Sequence, residues 1–467
     1  MAIEWAGLSP ELLIPLDRGS REPLRSQVES ALRDAIRSGR LQAGERLPSS
    51  RELARQLGVS RGLVQDCYGQ LHAEGYLSTR TGSATRVAVL HAGALVPVPT
   101  PPAVPRPLRA DFAAGVPDLA SFPRADWLWA QREACRHTPT ALFDYGDARG
   151  TPTFRQTIAS YLRRVRAAHA DADNIIACGG FAQGLNLALG VLRSAGHRRV
   201  AFEDPGYGDG STMAATAHAG IQPVPVPVDA GGIDVDALAA TGVRAVVVTP
   251  AHQWPTGVVM APDRRQALIA WATRHDAIIV EDDYDAEFRY DREPVGTLQG
   301  LAPDRVIALG TVSKTLAPAI RLGWMVCPPA LTETIMHEKR LADRGSSLLD
   351  QLTVATLIGS GRYDRHLRRM RTSYAARRQA LVAGLAEYAP TVTLTGLAAG
   401  FHAVAHLPRT ADEQTVVTRA RAQHIGLYGM STYRADKATI PPQLVLGFGN
   451  LTEDTIHSAI RAISQLI

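Results

Sequence analysis

Lysine is almost missing from this chain of 467 residues: of 50 basic side chains only Lys314, Lys339 and Lys437 are lysines. Any chemistry that needs an amine is thereby confined to three positions. Aromatics are sparse, at 6%. The four cysteines, Cys67, Cys135, Cys178 and Cys327, lie far apart and form no metal-ligand spacing. That usage predicts reduced structural thiols in a cytoplasmic protein, and no metal centre. No stretch approaches the ~18 uncharged apolar residues that a membrane helix needs. The opening MAIEWAGLSPELLIPLDRG lacks a basic segment ahead of an apolar core. Neither a membrane span nor a secretory leader is therefore expected. With 45% apolar and 20% charged residues, the chain is not of a disordered, collagenous or disulfide-scaffold type. At roughly 150 residues per domain, its length suggests two or three domains.

What is present divides unevenly. The net charge is +5, and residues 18–90 alone carry 12 Arg against 7 Asp and Glu, also +5. Such a segment permits an acidic partner. Residues 88–110 read AVLHAGALVPVPTPPAVPRPLRA, with six prolines between Pro97 and Pro107. Proline at that density breaks helices and central strands and favours extended conformations, so the stretch reads as a semi-rigid linker. The expected organisation is a small domain over 1–90, a linker over 91–110 and a large domain over 111–467.

The small domain reads as helical. Pro23 opens a helix with Leu24, Val28, Leu32 and Ile36 at i, i+4 spacing, and Gly39 ends it. Ser49 or Ser50 can cap a second, with Leu53, Ala54 and Leu57 inward and Gly58 as its stop. Ser60 caps a third, with Leu63, Val64, Cys67, Tyr68 and Leu71 inward and Gly75 beyond it. The second and third have the spacing of a helix-turn-helix, and Tyr76–Arg80, the turn at Thr81-Gly82-Ser83 and Ala84–Val89 predict a hairpin wing. Arg51, Arg61, Gln65, Arg80 and Gly82 all fall on one surface, where phosphate and base contacts to double-stranded DNA are made. The run GRLQAGERLPSSRELARQLGVSRGLVQDCYGQLHAEGYLSTRTGSATRV closely resembles the winged-helix domain of GntR-type bacterial regulators. That resemblance places Arg51, Ser60, Arg61, Gln65 and Gly82 at DNA-contacting positions. Many relatives carry Arg where this chain has Gln65. Arg favours guanine and Gln bonds adenine, so a different base preference is expected there.

In the large domain the runs Arg199–Phe202, Ala245–Val248, Ala277–Val280 and Val306–Leu309 are short apolar strands separated by helical stretches such as Arg264–Arg274. This alternation predicts an α/β layer with a largely parallel sheet, whose ligands bind beyond the strand C-terminal ends. Two strands end in reactive groups: Val280 leads into Glu281-Asp282-Asp283-Tyr284-Asp285, and Leu309 into Gly310-Thr311-Val312-Ser313-Lys314. Those residue types suit pyridoxal phosphate, which needs an amine, a carboxylate for its pyridine nitrogen, a phenol near the ring hydroxyl, and hydroxyls, amides and an Arg around its phosphate. Lys314, Asp282, Tyr284, Thr311, Ser313 and Arg321 supply them in turn.

The motifs EDPGY (203–207), TPAHQWPTG (249–257), EDDYDAEFRY (281–290) and GTVSKTLAPAIRLGW (310–324) resemble those of fold-type I aminotransferases. More specifically, they resemble the MocR regulators, in which such a domain follows a GntR winged helix. The resemblance implies that Lys314 forms the Schiff base, Asp282 pairs with the pyridine nitrogen and Tyr284 bonds the ring oxygen. It implies that Tyr207 stacks on the ring and that Thr311, Ser313, Arg321 and the amides near Gly180 and Phe181 hold the phosphate. It also implies a homodimer with swapped, head-to-tail domain contacts.

Several departures bear on enzyme against sensor. Val445 stands where aminotransferases usually carry the Arg that clamps a substrate carboxylate, and Trp254 replaces the asparagine of the NPTG turn. Asp209 stands where a GABA-responsive family member has an Arg, and Phe181 where a phosphate-binding Ser or Thr is common. Arg434 is weighed equally as a carboxylate partner and as a solvated loop charge. The expected function is a DNA-binding transcription regulator that senses pyridoxal phosphate, or an amino compound reacting at Lys314. The alternative is a working aminotransferase that carries a DNA-binding arm.

Overall fold

A computed structural model describes residues 14–78, 84–89, 107–208, 210–290 and 295–467. The chain divides into two compact units, residues 1–105 and 106–467. Most of the expected linker lies outside the described residues, and its last member, Ala110, already pairs with Ile425 in a short parallel ladder of the large unit.

In the small unit, α1 (Leu24–Arg37), α2 (Ser50–Leu57) and α3 (Arg61–Ala73) pack around Val28, Leu32, Leu53, Val64, Cys67 and Leu71. The start of α2 is decided by Ser49, whose side chain accepts from the Glu52 amide, and its end by Gly58 in the left-handed conformation. Ser60 caps α3 by accepting from the Leu63 amide. The strands β1 (Leu77–Ser78) and β2 (Arg86–Val87) pair antiparallel, Leu77 opposite Val87.

The large unit is built on an eight-stranded sheet. Its strands are β3 (Ile175–Cys178), β4 (Arg199–Asp204), β5 (Gln222–Asp229), β6 (Gly232–Ile233), β7 (Ala245–Val248), β8 (Ile278–Asp283), β9 (Val306–Thr311) and β10 (Gly323–Val326), in the spatial order β3-β10-β9-β8-β7-β4-β5-β6. The pairs from β9 through β8, β7 and β4 to β5 are parallel, and β10 is antiparallel to both of its neighbours. Strands buried on both faces explain the continuous apolar runs: every residue of β7 and β9 is buried. The helices of this unit include α4 (Pro152–Arg166), α5 (Phe181–Ser194), α6 (Pro262–Arg274), α7 (Pro329–Asp343), α8 (Leu348–Gly359) and α9 (Arg362–Tyr388).

β5 reads Gln-Pro-Val-Pro-Val-Pro-Val-Asp, a composition that argues against a strand. It forms because successive residues address opposite edges. The Gln222 amide donates toward β4, and the carbonyl of Pro227 accepts from Asp234 on the other side. Pro223 and Pro225 therefore turn their donor-less nitrogens away from β4, to a side where they have no strand partner, and Pro227 faces β6, accepting from the Asp234 amide without donating in return. A second, four-stranded sheet of β11 (Thr393–Thr395), β12 (His402–His406), β13 (Tyr428–Gly429) and β14 (Gln443–Gly447), in the order β11-β12-β14-β13, completes the C-terminal part. Among the described residues no helix is long and apolar enough to cross a membrane.

Candidate functional site

On the small unit, Arg51, Ser60, Arg61 and Gln65 are all exposed: Arg51 and Arg61 in the first turns of α2 and α3, Ser60 as the cap of α3 and Gln65 one turn further along it. Among the described residues the Arg51 and Arg61 guanidiniums have no hydrogen-bond or ion-pair partner. α3 has no acidic residue in its first turn. A cation at the positive end of a helix dipole is unfavourable by itself. Free amides and Arg61 together make a place for an anion. Arg80 and Gly82 lie outside the described residues.

On the large unit, parallel pairing of β8 with β9 sets Asp282 opposite Leu309. The carboxylate-bearing end of one strand thus lies beside the segment that carries Lys314. A cavity of about 230 Å³ opens there, lined by Phe181, Ala182, Tyr207, Trp254, Asp282, Tyr284, Thr311, Ser313, Lys314, Pro318 and Arg321. Lys314 Nζ donates to the Gly115 carbonyl at 2.7 Å. Burial lowers its pKa, against the pull of Asp282 and Asp285.

The three acids at the end of β8 divide their work by strand alternation. Glu281 accepts from the Leu298 and Gln299 amides at 2.9 and 3.0 Å. Asp283 makes a two-pronged ion pair with Arg166, both bonds 2.8 Å, and Arg166 is 1% exposed. Asp282, between them, faces the cavity. Burial lifts its carboxyl to about 7, partly opposed by the Tyr207 hydroxyl, which donates to Oδ2. Its Oδ1 is buried with no hydrogen-bond partner.

The opposite wall of the cavity carries hydroxyls, backbone amides and a guanidinium. Thr311 Oγ1 donates to Ser313 Oγ at 2.9 Å. Gly180, at φ +83°, precedes α5, whose first amides have no side-chain cap. A Cβ there would sit 3.1 Å from Thr311 Oγ1 and 3.9 Å from an Arg321 nitrogen, so only glycine lets the backbone come this close. Arg321 itself takes the left-handed conformation, φ +53°, which is costly for a side-chain-bearing residue and sends Nη2 to the Gly179 carbonyl at 2.6 Å.

Two aromatic side chains of the cavity make contacts within the protein. Tyr207 stacks on the Phe181 ring, with centroids 4.7 Å apart, and lies nearly parallel to Trp254 at 6.3 Å. Tyr284 gives its hydroxyl proton to the His252 carbonyl at 2.9 Å. Arg434 is held within its own loop by the Ala438 and Pro441 carbonyls and by Gln443, and Val445 is buried against Val404 and Met430. Asp209 lies outside the described residues.

Sequence reasoning missed the cluster of His252, Asp285 and His402, whose donor atoms lie within 4.8 Å of one another. Its signal was present inside TPAHQWPTG and EDDYDAEFRY, but His402 lies far along the chain from both. His252 Nδ1 is 2.8 Å from Asp285 Oδ2. Burial pushes the Asp285 carboxyl up, and burial with His252 nearby holds His402 well below the usual imidazole range. The Pro255 carbonyl favours charged His402 only weakly, and neither of its ring nitrogens has a well-formed hydrogen bond. The cluster is thus a buried packing unit joined by the His252–Asp285 hydrogen bond, an environment that disfavours further positive charge.

Residues 24–87 match the family of bacterial regulatory proteins, gntR family, and residues 110–463 match aminotransferase class I and II. The chain is 34% identical over 462 residues to the HTH-type pyridoxine biosynthesis transcriptional regulator PdxR of Corynebacterium glutamicum, covering 97% of this chain and 98% of that protein. It is 33% identical over 474 residues to the probable rhizopine catabolism regulatory protein MocR of Rhizobium meliloti, covering 97% and 95%. Among solved structures, a Pyrococcus horikoshii kynurenine aminotransferase superposes with a TM-score of 0.68 at 26% identity, over 76% of this chain and 90% of that one. An archaeal alanine:glyoxylate aminotransferase, at 24% identity and a TM-score of 0.70, shares the fold over 76% of this chain and 90% of its own.

Proposed function

The chain belongs to the MocR-type transcription regulators, in which a GntR-family winged helix is joined to an aminotransferase-like domain, and from that premise we propose that it senses pyridoxal phosphate through Lys314. The observation that carries this reading is the juxtaposition of a half-buried lysine amine with a buried carboxylate whose Oδ1 lacks a partner, at adjacent strand ends. Lining of that chemistry fits the cofactor. Bound, pyridoxal phosphate supplies an aldehyde for an amine and a pyridine ring that draws electrons when its nitrogen is protonated.

The protein's own groups are suited to hold it. Burial keeps more of Lys314 as free amine than water would, which is the nucleophilic form. Asp282 Oδ1 accepts a proton-bearing ring nitrogen, and that cation favours the ionised carboxylate. The Tyr207 hydroxyl fixes the other carboxylate oxygen. Thr311, Ser313, Arg321 and the amides that open α5 bind the phosphate. Arg51, Ser60, Arg61 and Gln65 contact the operator, the arginines on phosphate and Gln65 on a base edge. The chain works as a homodimer with head-to-tail contacts in the cytoplasm. Occupation of the Lys314 cavity shifts the population between two arrangements of the large domain that present the winged helices differently.

Neither Val445 nor the loop-bound Arg434 supplies a clamp for a substrate carboxylate, which favours the cofactor itself as effector. An amino compound reacting at Lys314 is the other effector. The test is an absorbance spectrum of the purified full chain with pyridoxal phosphate, before and after borohydride reduction, with peptide mapping. Label on Lys314 supports the reading, and no chromophore at all overturns it. Steady release of keto acid from an amino donor would instead establish a working aminotransferase with a DNA-binding arm, the reading that likeness to solved aminotransferases favours.

A further inference from the structure

The second of the three lysines has no place in cofactor or operator binding. Lys339, on α7, is 0% exposed. A buried ammonium is costly unless paired. Its Nζ donates to Asp343 Oδ2 at 2.6 Å and to Ser346 Oγ at 3.0 Å. The same Asp343 oxygen accepts from Gln183 Nε2 at 2.6 Å. Gln183 Oε1 in turn accepts from the Gly179 amide at 2.7 Å, and the Gly179 carbonyl accepts from Arg321 Nη2 at 2.6 Å. A continuous run of hydrogen bonds thus leads from the buried lysine to the wall of the Lys314 cavity.

The order of donors and acceptors along this run has a physical logic. A primary amide can face either way, and both orientations look alike to a neighbouring hydroxyl. Asp343 is ionised and can only accept, so it takes the Gln183 NH2 group and turns Oε1 toward Gly179. Burial pushes the Asp343 carboxyl up, but hydrogen bonds from Lys339 and Gln183 outweigh it and hold the pKa below the usual value. Gly179 is then gripped on both of its polar groups, its amide by Gln183 and its carbonyl by Arg321. The next residue, Gly180, is the turn that leads into α5, with φ +83° and no side-chain cap. Its Cα lies 2.8 Å from where a Cβ on Gly323 would be, so β10 backs the turn closely. The orientation of the first α5 amides therefore follows from how Gly179 is held.

We propose that Gln183, anchored by Asp343 and Lys339, is a positioning residue for the anion cradle: it holds the Gly179–Gly180 turn so that the amides opening α5 and the Arg321 guanidinium face the phosphate of the bound cofactor. This inference rests on the reading that the Lys314 cavity takes pyridoxal phosphate. It concerns the phosphate alone, so the aldehyde and ring contacts are unaffected by it. Outer partners that orient ligand-holding groups typically contribute about 10- to 100-fold in affinity.

The experiment titrates the full-length protein with pyridoxal 5′-phosphate and, separately, with pyridoxal, which lacks the phosphate, following visible absorbance. Gln183→Met keeps the length of this half-buried side chain and removes both hydrogen bonds. It is expected to weaken pyridoxal phosphate by about tenfold or more and pyridoxal by less than about twofold. Gln183→Glu sets a second carboxylate against Asp343 and is expected to weaken phosphate binding similarly. Wild-type affinity in Gln183→Met, or equal losses for the two ligands, would overturn the inference while the wild type still binds. If the wild type itself binds no pyridoxal phosphate, the cofactor reading fails first and takes this one with it.

Discussion

The two chemical surfaces of this chain are prepared in opposite ways. On the small unit, Arg51, Arg61 and Gln65 stand in solvent, and what positions them is backbone: the Ser49 and Ser60 caps and the left-handed Gly58 fix where each helix begins. On the large unit, Lys314 and Asp282 are withdrawn from water, and what prepares them is burial, which shifts both toward their neutral forms. A surface that meets a polyanion needs charges that are already free and cost little to pair. A cavity that holds one small molecule needs groups whose charge appears only when the ligand arrives.

That contrast breaks most completely at Lys314. Lys314→Ala is expected to abolish label retention after borohydride reduction and to remove the response to pyridoxal phosphate in an operator reporter. Operator affinity of the cofactor-free protein, measured by gel shift, should be unchanged. A preserved wild-type response would sink the mechanism. Asp282→Asn removes a charged acceptor but keeps the shape, and is expected to weaken pyridoxal phosphate by roughly 1.5–3 kcal/mol, about 10- to 100-fold, in an absorbance titration.

Changes on the DNA surface should be smaller and should leave folding untouched. Gln65→Arg is expected to move preference at one operator position from adenine to guanine by about 1–3 kcal/mol, read from binding to operator variants. Arg61→Ala should weaken all sequences alike and reduce the slope of log affinity against log salt by about 1. An unchanged slope would place Arg61 off the phosphate backbone.

The remaining expected effect is on stability against pH. The Asp282 carboxyl titrates at about 7 when folded, against ~3.9 in an unfolded chain. Between those values the folded state keeps a proton that the unfolded state has lost, so stability falls as pH rises through this window and levels off above it. Glu203 and Glu281, also lifted to about 7 by burial, act in the same direction. Thermal melts of the cofactor-free protein should decline from about pH 5 to about pH 7.5, and Asp282→Asn should flatten part of that decline.

The helix caps, the four apolar strands and the pairing of the acidic strand end with Lys314 were legible because each is a local pattern of the order of ten residues. The partners that complete the site were not. Gly115, which accepts from Lys314, is 199 residues away. Phe181 was read for its backbone amide and as a substitution where a Ser or Thr is common, yet its ring is the one on which Tyr207 stacks. Tyr284 carries a hydroxyl of the right type, but its hydroxyl is committed to the His252 carbonyl, which no spacing announces. Gln183 and Asp343 lie 160 residues apart, and neither belongs to any motif.

The proline-alternating strand β5 has a consequence for how such a chain is made. Parallel sheets assemble from distant segments, so their borders stand open while the rest of the chain is still being ordered. An open border with free amides is a template on which another nascent chain can add. Beyond the short pairing with β6, β5 offers the carbonyls of Pro223 and Pro225 outward but no amide to match them, so a foreign strand would find only half of a ladder. The sheet has, in effect, a sealed hem on that side, written into the sequence before any of the regulatory chemistry can operate.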